Sequence, residues 1–146
     1  STQGNPFGWP GCNTLLKALK ATDSSTTSGT PVQMDGVSVT ITPMPNRELK
    51  ITLWANAVRN SSGPTNSDMS IHLGTVGAAT QLVNTRGTSA GPNYALPVSC
   101  VAYYTPTSAT ALTFNGGIAN VGGGTATIAA NTNGMTVLTV EYVDKP

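Results

Sequence analysis

The chain is 146 residues long and close to neutral, with seven Lys plus Arg against six Asp plus Glu and a formal charge of +1. Charged residues make up only 9% of it, against roughly 25% in an ordinary soluble domain, so electrostatic attraction to nucleic acid or to an anionic membrane is excluded as the main driving force. Threonine, serine and asparagine fill the place of charge, beside 16 Gly and 10 Pro; this is the composition of one all-β domain, not of a disordered chain or a coiled coil.

The first 36 residues differ from the rest. No signal-peptide pattern opens the chain, and no apolar run anywhere approaches the about 18–20 residues of a membrane span. Two prolines and three glycines in and around Asn5-Pro6-Phe7-Gly8-Trp9-Pro10-Gly11 make that stretch extended or turn-like. Asn13 is placed to cap one short helix over Thr14–Lys20, with Leu15, Leu16 and Leu19 along one face. A polar linker follows from Thr22 to Pro31. Phe7, Trp9, Leu15, Leu16 and Leu19 thus form an apolar set without a core of their own. Such an arm either packs back on its own domain or anchors on a neighbouring subunit or another protein.

From residue 37 to 146 the sequence reads as a second unit, a β-sandwich. The spacing predicts strands over Val37–Thr42, Glu48–Ala57, Met69–Leu73, Thr80–Thr85, Tyr94–Tyr104, Ala109–Asn115, Thr125–Ala130 and Met135–Val143, divided by Pro, Gly and Asn turns. Alternation assigns Leu49, Ile51, Leu53 and Ala55 to one face and Lys50, Thr52, Trp54 and Asn56 to the other. Asn133-Gly134 is a two-residue hairpin signal, and Gly116-Gly117 and Gly122-Gly123-Gly124 read as hairpin glycines. Eight strands in about this length fit an eight-stranded jelly-roll sandwich, here with an extended N-terminal arm carrying one short helix.

The residues offer no catalytic constellation. His72 is the single histidine, placed by alternation on the same face as Ser70 and opposite Ile71. A serine hydrolase needs that imidazole beside a nucleophile with an orienting carboxylate, and no Gly-x-Ser-x-Gly elbow exists. One His with two distant cysteines, Cys12 and Cys100, does not make a common zinc set. The two cysteines read as free, partly buried small side chains, with a disulfide as the alternative. Glu48 and Glu141 have basic neighbours at Arg47, Lys50 and Lys145, which fits surface pairing better than an acid pair of a glycosidase. No phosphate loop follows the glycines, and no calcium loop is present. The sequon Asn60-Ser61-Ser62 is weak in so Asn- and Ser-rich a chain. Trp54, Tyr94, Tyr103 and Tyr104 are the aromatics for either a carbohydrate site or an interface.

The paired runs Val37–Thr42 and Leu49–Ala57, the Asn/Ser-rich loop, Met69-Ser70-Ile71-His72-Leu73, the Thr113-Phe114 strand, the Gly-rich stretch and the closing Leu138–Val143 resemble the small trimeric jelly-roll domains of tailed-phage virions. Those occur in capsid decoration proteins and at tail or head-fibre tips. The resemblance spans about residues 35–143 and is one of pattern. It implies a non-enzymatic, cofactor-free homotrimer on the virion surface, made in the host cytoplasm. Its leading role is to cement the major capsid protein, with Phe7, Trp9, Leu15, Leu16 and Leu19 as partner-binding anchors. The alternative it implies is a receptor- or carbohydrate-binding fibre domain using Trp54, Tyr94, Tyr103 and Tyr104, with no nucleic acid and no membrane insertion in either role.

Overall fold

The structure is a computed structural model and describes residues 14–143. Ten strands follow in order: β1 (Thr14–Lys20), β2 (Ser24–Thr26), β3 (Val32–Ile41), β4 (Leu49–Asn60), β5 (Thr65–Leu73), β6 (Gln81–Ser89), β7 (Leu96–Tyr104), β8 (Leu112–Val121), β9 (Ala126–Ala129) and β10 (Thr136–Tyr142), with one 3-10 turn at Ala78–Thr80. All pairings are antiparallel and they nest: β1 with β10, β3 with β8, β4 with β7, β5 with β6. A long hairpin with its tip between β5 and β6 has been wrapped into two sheets. Residue 58 of β4 pairs with Leu96 on one side and Ile128 on the other, so β9 and β10 occupy a single lane beside β4. β1 and β2 occupy the next lane, paired to β10 and β9 respectively. Eight lanes result, in two sheets of four: β1/β2, β10/β9, β4, β7 and β3, β8, β5, β6. This is the eight-stranded jelly-roll sandwich.

The core lies between the sheets. Leu49, Ile51, Leu53 and Ala55 of β4 meet Met34 and Val37 of β3, Met69 and Ile71 of β5, Phe114 and Ile118 of β8, Ile128 and Leu138, all at 0–1% exposure. Each large aliphatic buried this way contributes about 1.5–3 kcal/mol. Period-two alternation on β4 was enough to find its share of this face. Pro97 sits in β7, an edge strand, where its missing N–H costs no ladder bond.

Several expectations are corrected. Thr14–Lys20 is not a helix but β1. Its Leu, Ala and Lys favour a helix locally, yet seven residues are too few for an isolated one. Pairing Leu16 with Val140, Ala18 with Leu138 and Leu19 with Val137 instead covers the open edge of β10. The linker contains β2, and β3 runs from Val32 to Ile41 through the boundary drawn at 36/37. Residues 14–36 are therefore lanes of the sandwich rather than an arm lying outside it. Gly116 and Gly117 lie inside β8, not in a hairpin: a Cβ on Gly116 would come 2.7 Å from Val37 and 2.8 Å from Met34. Gly122, Gly123 and Gly124, at φ of +114°, +110° and +70°, do make the turn. Asn133-Gly134 forms a tight turn bridged Asn131 to Gly134, but the chain re-enters the same lane, so β9 and β10 are no hairpin.

Candidate functional site

The two outer faces of the sandwich differ in chemistry. On the β1-β10-β4-β7 sheet, directly paired residues share a face, so register alone assembles the surface. One cross-strand row reads Leu19, Val137, Trp54, Ser99; the next reads Lys17, Thr139, Thr52, Val101; the third contains Glu141, Lys50 and Tyr103. Leu19 is 52% exposed, Trp54 39%, Val101 38% and Tyr103 56%. The result is a diagonal apolar stripe, Leu19–Val137–Trp54–Val101–Tyr103, that crosses all four lanes. Short polar side chains border it: Thr52, Asn56, Ser99 and Thr139.

The structure thus brings Leu19, Trp54 and Tyr103 onto one face, a grouping that only the register across β1, β10, β4 and β7 reveals. Leu15 and Leu16 are exposed on the same edge strand, β1. Tyr94 stands apart, exposed in the β6–β7 connection. Tyr104 is excluded from a binding face, because it points inward and packs edge-to-face on Phe114, centroids 6.3 Å apart at 70°. Phe7, Trp9 and Cys12 lie outside the described residues. Tyr142, not singled out by the sequence, is held in place: its hydroxyl accepts the Met44 N–H at 2.7 Å and the Arg47 guanidinium lies 3.9 Å from its ring centre.

The outer face of the β3-β8-β5-β6 sheet is polar and closely hydrogen-bonded. Asp68 holds Arg86 through two bonds, at 2.7 and 3.0 Å, and accepts Asn84 at 3.2 Å. His72, fully buried, lies beneath the β5–β6 connection. Its Nδ1 faces the Gly77 N–H at 3.4 Å and the Thr80 hydroxyl at 3.2 Å, and its Nε2 lies 2.7 Å from Ser70 Oγ. Because Gly77 donates to Nδ1, the proton resides on Nε2, which donates to Ser70. Ser70 therefore has no base, and no carboxylate touches the ring among the described residues. The pair is a buried structural contact, not a catalytic dyad. Burial lowers the His72 pKa below its ordinary value of 6.5, a tendency partly opposed by the Gly77 bond.

Beside His72 lies a groove of about 460 Å³ lined by Gln33, Gly74, Thr75, Val76, Thr113 and Asn115. Among the described residues no group of three or more His, Cys, Asp or Glu is placed to hold a metal. Cys100 faces the core beside Leu53, and burial pushes its thiol up to about 12. Asn60 is fully buried, bonding Asn120 Oδ1 at 2.7 Å and accepting Ser62 N–H at 2.9 Å. The folded domain does not present that sequon.

No family model matches the chain, and neither does any curated protein. Several solved structures are similar to the chain at low identity. A tumour-necrosis-factor protein, Eiger from S. frugiperda, is 8% identical with TM-score 0.49, over 92% of this chain and 96% of that one. The CBM22-1 xylan-binding domain of Paenibacillus barcinonensis Xyn10C is 10% identical with TM-score 0.45, over 92% and 97%. The insecticidal delta-endotoxin Cry8Ea1 of Bacillus thuringiensis is 12% identical with TM-score 0.45; the match takes in 84% of this chain but only 20% of that one. At these TM-scores the likenesses carry no argument, and the two-sheet sandwich rests on the strand pairing described above.

Proposed function

We propose that this is a non-catalytic binding domain that holds a carbohydrate on the Trp54 face. One observation carries the reading: an indole stands 39% exposed in the middle of a sheet, with Val137 beside it on β10 and the short polar side chains Thr52, Asn56 and Ser99 on its other sides. An aromatic face stacks on the C–H face of a sugar, and neighbouring Thr52, Asn56, Ser99 and Thr139 supply hydrogen bonds to its hydroxyls. The Trp54 row is itself uncharged, with Lys17, Lys50 and Glu141 in the rows beyond it, and this favours a neutral ligand. The test is tryptophan fluorescence during titration with neutral oligosaccharides, in the native chain and in Trp54→Ala. Saturable quenching in the first and none in the second is expected; identical responses in both overturn the assignment.

A second reading has its own observation. Leu19, Val137 and Val101 lengthen the apolar stripe beyond one sugar, which suits a protein surface, including the three-fold packing and capsid contact that the phage resemblance implies. Of the tether assigned to the first 36 residues, β1 is committed to its own sheet, while Phe7 and Trp9 lie outside the described residues. Light scattering separates the readings: a native mass near 14.9 kDa favours a free platform, and three times that favours a trimer.

A further inference from the structure

We infer that the groove on the opposite sheet is a second binding site, for a neutral polyhydroxylated ligand, and that its wall stands only while His72 is uncharged. The volume, about 460 Å³, lies within the range of about 300–1,000 Å³ usual for ligand clefts. None of the six lining residues carries a charge, so neither an anion nor a cation finds a counter-charge there. Asn115 donates its amide to Gly74 O at 2.7 Å, and Gln33 donates to Met34 O at 2.9 Å and Val37 O at 3.3 Å. Among the described residues no donor reaches the carbonyl oxygens of these two side chains. They are fixed acceptors that suit a ligand rich in hydroxyl donors. Thr113, paired with Thr40 at 2.8 Å, and Thr75 add hydroxyls, and Val76 adds an apolar patch.

The wall is the chain from Gly74 to Thr80. It is held at one end by Gly74 N–H to Thr113 O at 2.8 Å, and at the other by Gly77 N–H to His72 Nδ1. The Thr80 hydroxyl donates its one proton to Thr75 O at 2.5 Å, with Gly77 O at 3.1 Å and His72 Nδ1 at 3.2 Å from the same oxygen. A proton on Nδ1 would turn that nitrogen into a donor to the Thr80 hydroxyl oxygen and leave the Gly77 N–H facing another donor, so acid releases the wall at Gly77. Few charged groups surround the ring. The 74–80 segment and β8 carry no charged residue, β6 carries only Arg86 and β5 only Asp68, and those two pair with each other. Asp35 on β3 is exposed, its backbone carbonyl accepting Lys20.

The test uses the full chain, ¹⁵N-labelled, in the Trp54→Ala background so that the aromatic platform does not contribute. The probes are cellohexaose, xylohexaose, maltohexaose and mannohexaose. At pH 7.5 at least one is expected to shift the amides of Thr75, Val76, Thr113 and Asn115. Its affinity should fall by about tenfold per pH unit once the imidazole titrates, the ceiling for one coupled proton. His72→Gln should make binding independent of pH. If that variant does not fold, the parent chain still decides: the His72 ring nitrogens and the 74–77 amides must titrate with one midpoint. Silence from all four probes, pH dependence that survives His72→Gln, or separate midpoints would each overturn the inference.

Discussion

Gly117 is the point at which the packing around His72 is most exposed to test. A Cβ there would lie 2.7 Å from Ser70 Oγ and 2.8 Å from His72 Nε2, both fully or almost fully buried. Its φ lies outside the left-handed region, so alanine meets a problem of space and not of backbone strain. Relief requires Ser70 and His72 to part, which leaves a buried imidazole N–H without its acceptor at about 1–3 kcal/mol. Overpacking a filled site adds about 1–3 kcal/mol, and partial relaxation brings the sum to about 3 kcal/mol. For a domain of this size that is a loss of about 10 °C in Tm. Gly77→Ala is the control: it has nothing within 4 Å, an extended backbone at φ 175°, and it keeps the N–H that His72 accepts. Calorimetry should place Gly77→Ala within about 0.5 kcal/mol of the parent. A Gly117→Ala melting point within 2–3 °C of the parent (roughly 1 kcal/mol) would refute the reasoning.

Other expectations follow from the same structure. The His72 pKa is lowered on folding, so the unfolded chain binds more protons below pH 6.5. Stability should be fully present above that value and decline as pH falls below it toward the folded pKa, read as a falling denaturant midpoint. Cys100, its thiol raised to about 12, should resist alkylation in the native protein and react on denaturation, as peptide mass mapping would reveal. Phe114→Ala removes a fully buried ring that also meets Tyr104, and should cost about 3–5 kcal/mol in urea unfolding. Trp54→Ala removes a side chain on the outer face and should change stability by less than about 1 kcal/mol.

Sequence periodicity was most informative where one face of a strand meets the core and the other meets solvent. Leu49 to Asn56 alternates cleanly for that reason, and the faces read there are those found. β1 was illegible because its partner, β10, lies some 120 positions later, while its local propensity points to a helix. The count of eight strands matched the eight lanes only because two differences cancel: β1/β2 was missed as a lane, and the lane of β9 and β10 was read as two strands. Gly116 and Gly117 look like turn residues in one dimension, yet packing against Met34, Val37, Ser70 and His72 requires them. At the candidate site, Trp54 and Tyr103 were visible as aromatics, but nothing local separates the outward Tyr103 from the inward Tyr104 except the register with β4. The groove carries no motif at all, since it joins β3, the β5–β6 connection and β8 through backbone geometry and uncharged side chains.

The central claim, that the Trp54 face binds a neutral saccharide, is met most directly by affinity electrophoresis. The native chain and Trp54→Ala would be run through gels containing soluble neutral polysaccharides, with Tyr94→Ala, remote from the stripe, as a companion. Retardation of the native chain and of Tyr94→Ala by at least one polysaccharide, lost in Trp54→Ala, is the predicted result. Unretarded migration of the native chain in every gel, or retardation that Trp54→Ala retains in full, would contradict it.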